Sequence, residues 1–189
     1  PRSAPGPAGG SGLTFTSSNC SKAHAVTENS TPSPLYLDDL SVGDQFRSGE
    51  HAMDEAQITA FAAQFDPQPF HLDDTAARAT LFGGLAASGW HTAAVTMRLQ
   101  VTSGLPVAGG IIGAGGELSW PRPTRASDVL HVVSEVVQIQ PSKSKPDRGM
   151  VTVRSETRNQ HGDVLQLSTV RIVVPRRPGA FVGAPATDT

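Results

Sequence analysis

The chain has 189 residues, 38% of them hydrophobic and 17% charged, with a formal net charge of -2, which fits one globular domain with polar tails and excludes the basic footprint of a phosphate-backbone binder. A nucleic-acid partner is therefore not expected. The single cysteine, Cys20, excludes an internal disulfide framework and a thiolate metal cluster and fits a reducing, cytoplasmic setting, and no window reaches the ~18 consecutive apolar residues of a membrane span.

Residues 1–34 are rich in Pro, Gly, Ser and Thr and carry only Arg2, Lys22 and Glu28 as charged groups, too little apolar surface to offset ordering entropy. A disordered tail is expected there. The first residue is Pro1, so the start was processed or lies upstream; linker, cloning residue and transit remnant all stay open, because hydroxyls abound but an Arg-rich amphipathic pattern is absent. From Leu35 the composition changes to that of a folded domain, expected over 35–177. Its first feature is a turn at Gly43 and Asp44 between Tyr36 to Leu40 and Phe46 to His51.

Asp54 to Phe65 places Ile58, Phe61, Ala62 and Phe65 on one helical face, with Asp54 as N-cap and Gln57 at the reciprocal capping position. The helix ends against Pro67. The run Asp66, Pro67, Gln68, Pro69, Phe70, His71 then fixes an acid and an imidazole five residues apart on a connector stiffened by two prolines. A carboxylate and an imidazole held this way can share one water, one group withdrawing a proton while the other returns one.

A short helical turn is expected from Asp73 to Ala79, and a second helix from Gly89 to about Thr102, stopped by Gly104 and Pro106. Ala93, Ala94, Val95, Met97, Leu99 and Val101 make that helix apolar nearly all round, so a sheet is expected to wrap and bury it. Residues 111–120, 129–140, 149–159 and 164–175 read as four strands. The last two form a hairpin, with Gly162 supplying a left-handed position in the connector. One buried helix and a long antiparallel sheet make an α+β domain, followed by a second disordered tail over 178–189.

The segment Tyr36 to Asp44, the loop Asp66 to His71 with Leu72 and Asp73, and the element Phe82-Gly-Gly-Leu-Ala-Ala-Ser-Gly89 together resemble the MaoC-like dehydratases, also called R-specific enoyl-CoA hydratases. The resemblance covers roughly residues 36–175. It implies a hot-dog fold, an antiparallel sheet wrapped around a central helix, and an Asp followed after five residues by His, with a glycine opening the buried helix 18 residues later. Here those positions are Asp66, His71 and Gly89. Three positions depart from the family pattern: Gln68 stands where Asn is usual, Ser88 where His precedes the glycine, and Met97 where a small hydroxyl residue is frequent. They bear on water positioning and substrate range.

The resemblance implies a hydro-lyase working on an acyl-CoA thioester, with Asp66 and His71 as catalytic pair and Gly89, together with Ser88, at the oxyanion and substrate-binding end of the helix. The first N–H groups of a helix suit a thioester oxygen that becomes enolate-like. No cofactor or metal is expected, since coenzyme A travels with the substrate and the histidines show no ligand spacing. A homodimer is expected. A thioesterase of the same fold is the rival enzyme, disfavoured because Leu85 to Gly116 contains no Asp or Glu; a noncatalytic acyl-CoA-binding module is the rival outside catalysis. His91 is read as a structural side chain, Trp90 and Trp120 as core or acyl-pocket wall, and Lys143, Lys145 and Arg148 as a solvated loop.

Overall fold

The computed structural model describes residues 33–179, so the two expected tails fall almost wholly outside the described residues. After a single 3-10 turn at Leu37–Asp39, the elements run β1 (Gln45–Arg47), β2 (His51–Ala52), α1 (Glu55–Phe65), α2 (Pro69–Leu72), α3 (Asp74–Arg78) and α4 (Gly89–Leu99). A wider turn of π type, Gln100–Gly104, leads to β3 (Ile112–Ser119), β4 (Val129–Pro141), β5 (Arg148–Arg158) and β6 (Val164–Pro175). The strands form one antiparallel sheet in the order β1-β4-β5-β6-β3, with β2 also on β4. This is the α+β, hot-dog arrangement.

Local chemistry explains most boundaries. Asp54 caps α1 by accepting from the Gln57 N–H at 2.7 Å, but Gln57 does not close the box onto the Asp54 backbone. Its amide instead donates to the Asp54 carboxylate at 2.6 Å, and its Oε1 meets His51 Nε2 at 2.8 Å. The β5–β6 hairpin turns through Gly162 at φ +83°, a conformation costly for a residue with a Cβ. In β5, Val151, Val153, Ser155 and Thr157 are buried while Arg154 is exposed, the period-two alternation of a strand with one face inward.

The inner face holds two apolar clusters divided by a polar seam. Leu37, Val136, Val151, Val153, Ile172 and Val174 belong to one cluster, and Ile58, Val95, Leu99, Leu130, Val132 and Leu165 to the other. Each fully buried side chain of this size stabilises the fold by ~1.5–3 kcal/mol. Between the clusters, Thr96 Oγ1 lies 2.6 Å from Thr157 Oγ1, and Gln100 Nε2 donates to Ser155 Oγ at 2.9 Å and Ser134 Oγ at 3.2 Å. Paired in this way, buried hydroxyls and an amide avoid the desolvation penalty that each would suffer alone.

The seam corrects the expectation for α4. The helix turns Thr92, Val95, Thr96 and Leu99 to the sheet, whereas Trp90 is 63%, Val101 57% and Met97 46% exposed in the single chain. The sheet lies against one side of the helix only: Val95 and Leu99 pack there beside the two threonines and their hydroxyl partners, while Trp90 and Met97 are left on the other side. The edge strand β3 is exposed along its whole length and, among the described residues, pairs only with β6. Among the described residues, no helix is long and apolar enough to cross a membrane.

Candidate active site

Asp66 closes α1 as its C-cap, donating its N–H to the Ala62 carbonyl at 2.9 Å. The two prolines do not leave an extended loop behind it. Gln68 is the N-cap and Pro69 the first residue of α2, a position where the missing N–H costs nothing, so His71 rides on one turn of helix rather than on the expected loop. Its ring is buried, with Nδ1 2.7 Å from the Ala86 carbonyl oxygen. A carbonyl only accepts, so Nδ1 carries a proton, and in the neutral ring Nε2 is the nitrogen with the lone pair. That Nε2 lies 3.5 Å from Asp66 Oδ2, beyond a direct hydrogen bond but close enough for both atoms to hold one water. Phe70 and Phe82 flank the imidazole, at centroid distances of 4.6 and 5.8 Å.

The Asp66 carboxylate is spoken for on its other sides. Ser88 Oγ donates to Oδ2 at 2.6 Å and Gln68 Nε2 to Oδ1 at 2.8 Å. The Ser88 bond, then the Gln68 bond and the nearby His71, hold the Asp66 carboxyl below the usual carboxylate range, against the opposing pull of partial burial. Hydrogen bonds to the charged form favour it. Because the folded value is depressed, Asp66 adds stability above its ordinary range, and that contribution is lost as pH falls through the lowered value. Ser88→Ala is expected to move the Asp66 titration to higher pH, read from its carboxylate carbon by NMR; an unmoved midpoint would remove Ser88 as the source of the shift.

Ser88 is 1% exposed and also caps α4, its Oγ accepting from the Trp90 N–H at 3.2 Å. Its hydroxyl is thus turned to Asp66 and the helix end. The Gly89 N–H takes no acceptor among the described residues, and it stands at the positive end of an 11-residue helix. Trp120 packs directly on this glycine: a Cβ at position 89 would sit 2.8 Å from Trp120 Cδ2 and Cε2. A cavity of about 390 Å³ opens beside them, with His71, Gly89, Phe82, Thr92, Trp120 and Thr124 in its wall. His71 and Gly89 are therefore brought together in one cavity wall, and Asp66 and Ser88 adjoin it through the 3.5 Å approach of Asp66 Oδ2 to His71 Nε2.

Sequence reasoning missed the residues that hold this site from a distance. Arg125 donates to the carbonyls of Phe82, Gly84 and Leu85, and Asp74 accepts from the Leu85 N–H at 2.9 Å, so the segment that delivers the Ala86 carbonyl to His71 is anchored at several points. Arg125 lies 41 and 40 residues from Gly84 and Leu85 along the chain, which leaves no local signal. Trp120 Nε1 donates to Gln166 Oε1 at 2.8 Å, another pairing across the sheet. His91 stacks on Phe61 at 4.5 Å and lies away from the cavity, with burial lowering its pKa. Lys143 and Lys145 occupy the β4–β5 connector at the far end of β4, and Arg148 pairs with Asp147. A 13-residue strand spans roughly 40 Å, which removes this cluster from the site within one chain.

Met97, on the exposed side of α4, contributes nothing to the cavity wall, and Thr96 beside it is committed to Thr157. Among the described residues, no three His, Cys, Asp or Glu side chains converge as metal ligands would.

The fold and this dyad can be set beside known proteins. The sequence profile of the MaoC like domain matches residues 40–159. The crystal structure of a MaoC-like dehydratase from Rhodospirillum rubrum is 66% identical, covers 76% of this chain and 99% of its own, and superposes with a TM-score of 0.75. The unliganded R-hydratase PhaJ1 from Pseudomonas aeruginosa is 28% identical over 76% of this chain and 88% of its own, with a TM-score of 0.61. The uncharacterized protein YdeM of Bacillus subtilis (strain 168) is 32% identical over 129 residues, 67% of this chain and 89% of its own. With the matched profile spanning both Asp66 and His71 and the buried helix that follows them, the chain belongs to the MaoC-like domain family.

Proposed function

We propose that the chain is an enoyl-CoA hydratase, equally a 3-hydroxyacyl-CoA dehydratase in reverse. The observation that carries the reading is His71, whose Nε2 lies 3.5 Å from the Asp66 carboxylate and which shares a cavity wall with Gly89. The thioester carbonyl oxygen sits on the Gly89 N–H, which draws charge from the conjugated double bond and opens Cβ to attack. Asp66, a weak base because its carboxyl is held low, orients the water. His71 Nε2 takes the water proton as oxygen bonds to Cβ, and the imidazolium returns a proton to Cα, giving a 3-hydroxyacyl thioester. Addition with R configuration follows the R-hydratase it is similar to. The thioester itself supplies the activation, so neither metal nor redox cofactor enters the scheme.

A homodimer fits the same reading. An edge strand bare on both faces and, elsewhere on the chain, exposed Trp90, Met97 and Val101 are features that proteins cover, and a second copy covers them symmetrically.

Incubation of the full chain with crotonyl-CoA tests the reaction class. The expected result is loss of the enoyl thioester absorbance without free thiol. Free thiol with no hydration would replace this reading with thioester hydrolysis, and saturable binding with neither would make the chain a binding module.

A further inference from the structure

Resting on the hydratase reading, we propose that Trp120, pinned by Gln166, is the end wall of the acyl site and restricts the enzyme to short acyl groups. The indole covers the Cα of Gly89 so closely that no Cβ fits between them. An acyl chain whose carbonyl oxygen rests on the Gly89 N–H therefore meets this ring within a few bonds. The ring cannot swing aside freely. Although Trp120 is 39% exposed in the single chain, its Nε1 donates to Gln166 Oε1 at 2.8 Å, Gln166 is 2% exposed, and Trp90 meets it in a T-shaped pair at a centroid distance of 5.4 Å.

The helix–sheet cleft offers no detour. Gln166 pairs across the sheet with Thr157, whose hydroxyl meets Thr96 on α4. Nearer the site, Thr92 Oγ1 lies 2.9 Å from Thr124 Oγ1, and both residues line the cavity. A long methylene chain threaded between helix and sheet would part these hydroxyl pairs and strand the buried Thr124 and Thr157 hydroxyls, while Thr92 and Thr96 would keep only the helix carbonyls of Ser88 and Thr92. The polar seam and the indole thus close the same space from two directions. On this reading it is the position of the indole, not the cavity volume, that admits a two- or three-atom extension beyond the double bond and turns a fatty chain away.

The test compares kcat/KM on crotonyl-CoA and decenoyl-CoA for the wild-type chain, Trp120→Ala and Gln166→Leu, with thermal melts of each. Successive methylenes that a pocket rejects cost about tenfold or more apiece, so the wild type is expected to favour crotonyl-CoA by at least about a hundredfold. Trp120→Ala is expected to raise the decenoyl-to-crotonyl ratio by about tenfold or more, through KM for the longer substrate. Gln166→Leu, which frees the ring without removing it, moves the ratio the same way by less and carries the comparison alone if Trp120→Ala does not fold. A wild type that hydrates both substrates equally, or a ratio unmoved in a folded variant, overturns the wall and leaves the hydratase reading intact. A wild type that hydrates neither substrate removes the reading, and the wall with it.

Discussion

Asp66→Asn is expected to lower kcat/KM for enoyl-CoA hydration by about 10²–10⁴-fold, the range of a positioned acid–base group, while the protein still folds. Asparagine keeps the shape of the side chain and can still accept from Ser88, so the bond that ties α1 to the start of α4 survives. What disappears is the negative charge that orients water and steadies the imidazolium formed at His71. His71→Ala is expected to lose a similar factor, because no other base lines the described cavity wall. Thermal melts alongside the rates separate chemistry from folding. A fully active Asp66→Asn would show that the charge is idle.

Gly89→Ala is expected to damage stability and rate together. Alanine is the better helix former by at most ~1 kcal/mol, and even that is not fully available at the first residue of a helix. Against it stands a Cβ 2.8 Å from two indole carbons, where ordinary contact begins near 3.4 Å. The neighbour cannot give way without breaking the bond from Trp120 to Gln166. Overpacking of this kind costs ~1–3 kcal/mol, so the clash outweighs the helix gain. Urea unfolding reads the stability loss and crotonyl-CoA hydration the rate. An alanine variant as stable as wild type would mean that the indole is not fixed on this glycine.

Local rules carried the sequence reading far at some places and failed at others for identifiable reasons. The Asp54 cap, the Gly162 hairpin and the alternation along β5 are short-range effects, and each stands in the structure where the sequence put it. The Asp66 and His71 spacing was legible too, but not its geometry. Pro69 was read as stiffening a loop, and it starts a helical turn instead. The inner face of α4 went unread because Thr92 and Thr96 look like interruptions of an apolar stripe; their partners, Thr124 and Thr157, lie 32 and 61 residues away. Ser88, read as a substrate-binding group, spends its hydroxyl on Asp66, a partner 22 residues earlier. Arg125 and Gln166 matter through folding alone, since nothing near them in the chain marks them.

The central claim is that Asp66 and His71 act on one water as a unit. Groups that act together are strongly non-additive when removed. The measurement is kcat/KM for crotonyl-CoA hydration in wild type, Asp66→Asn, His71→Ala and the double variant. The account predicts that the double variant loses about as much as the worse single one. Losses that multiply, each residue costing its full factor in the absence of the other, would contradict it.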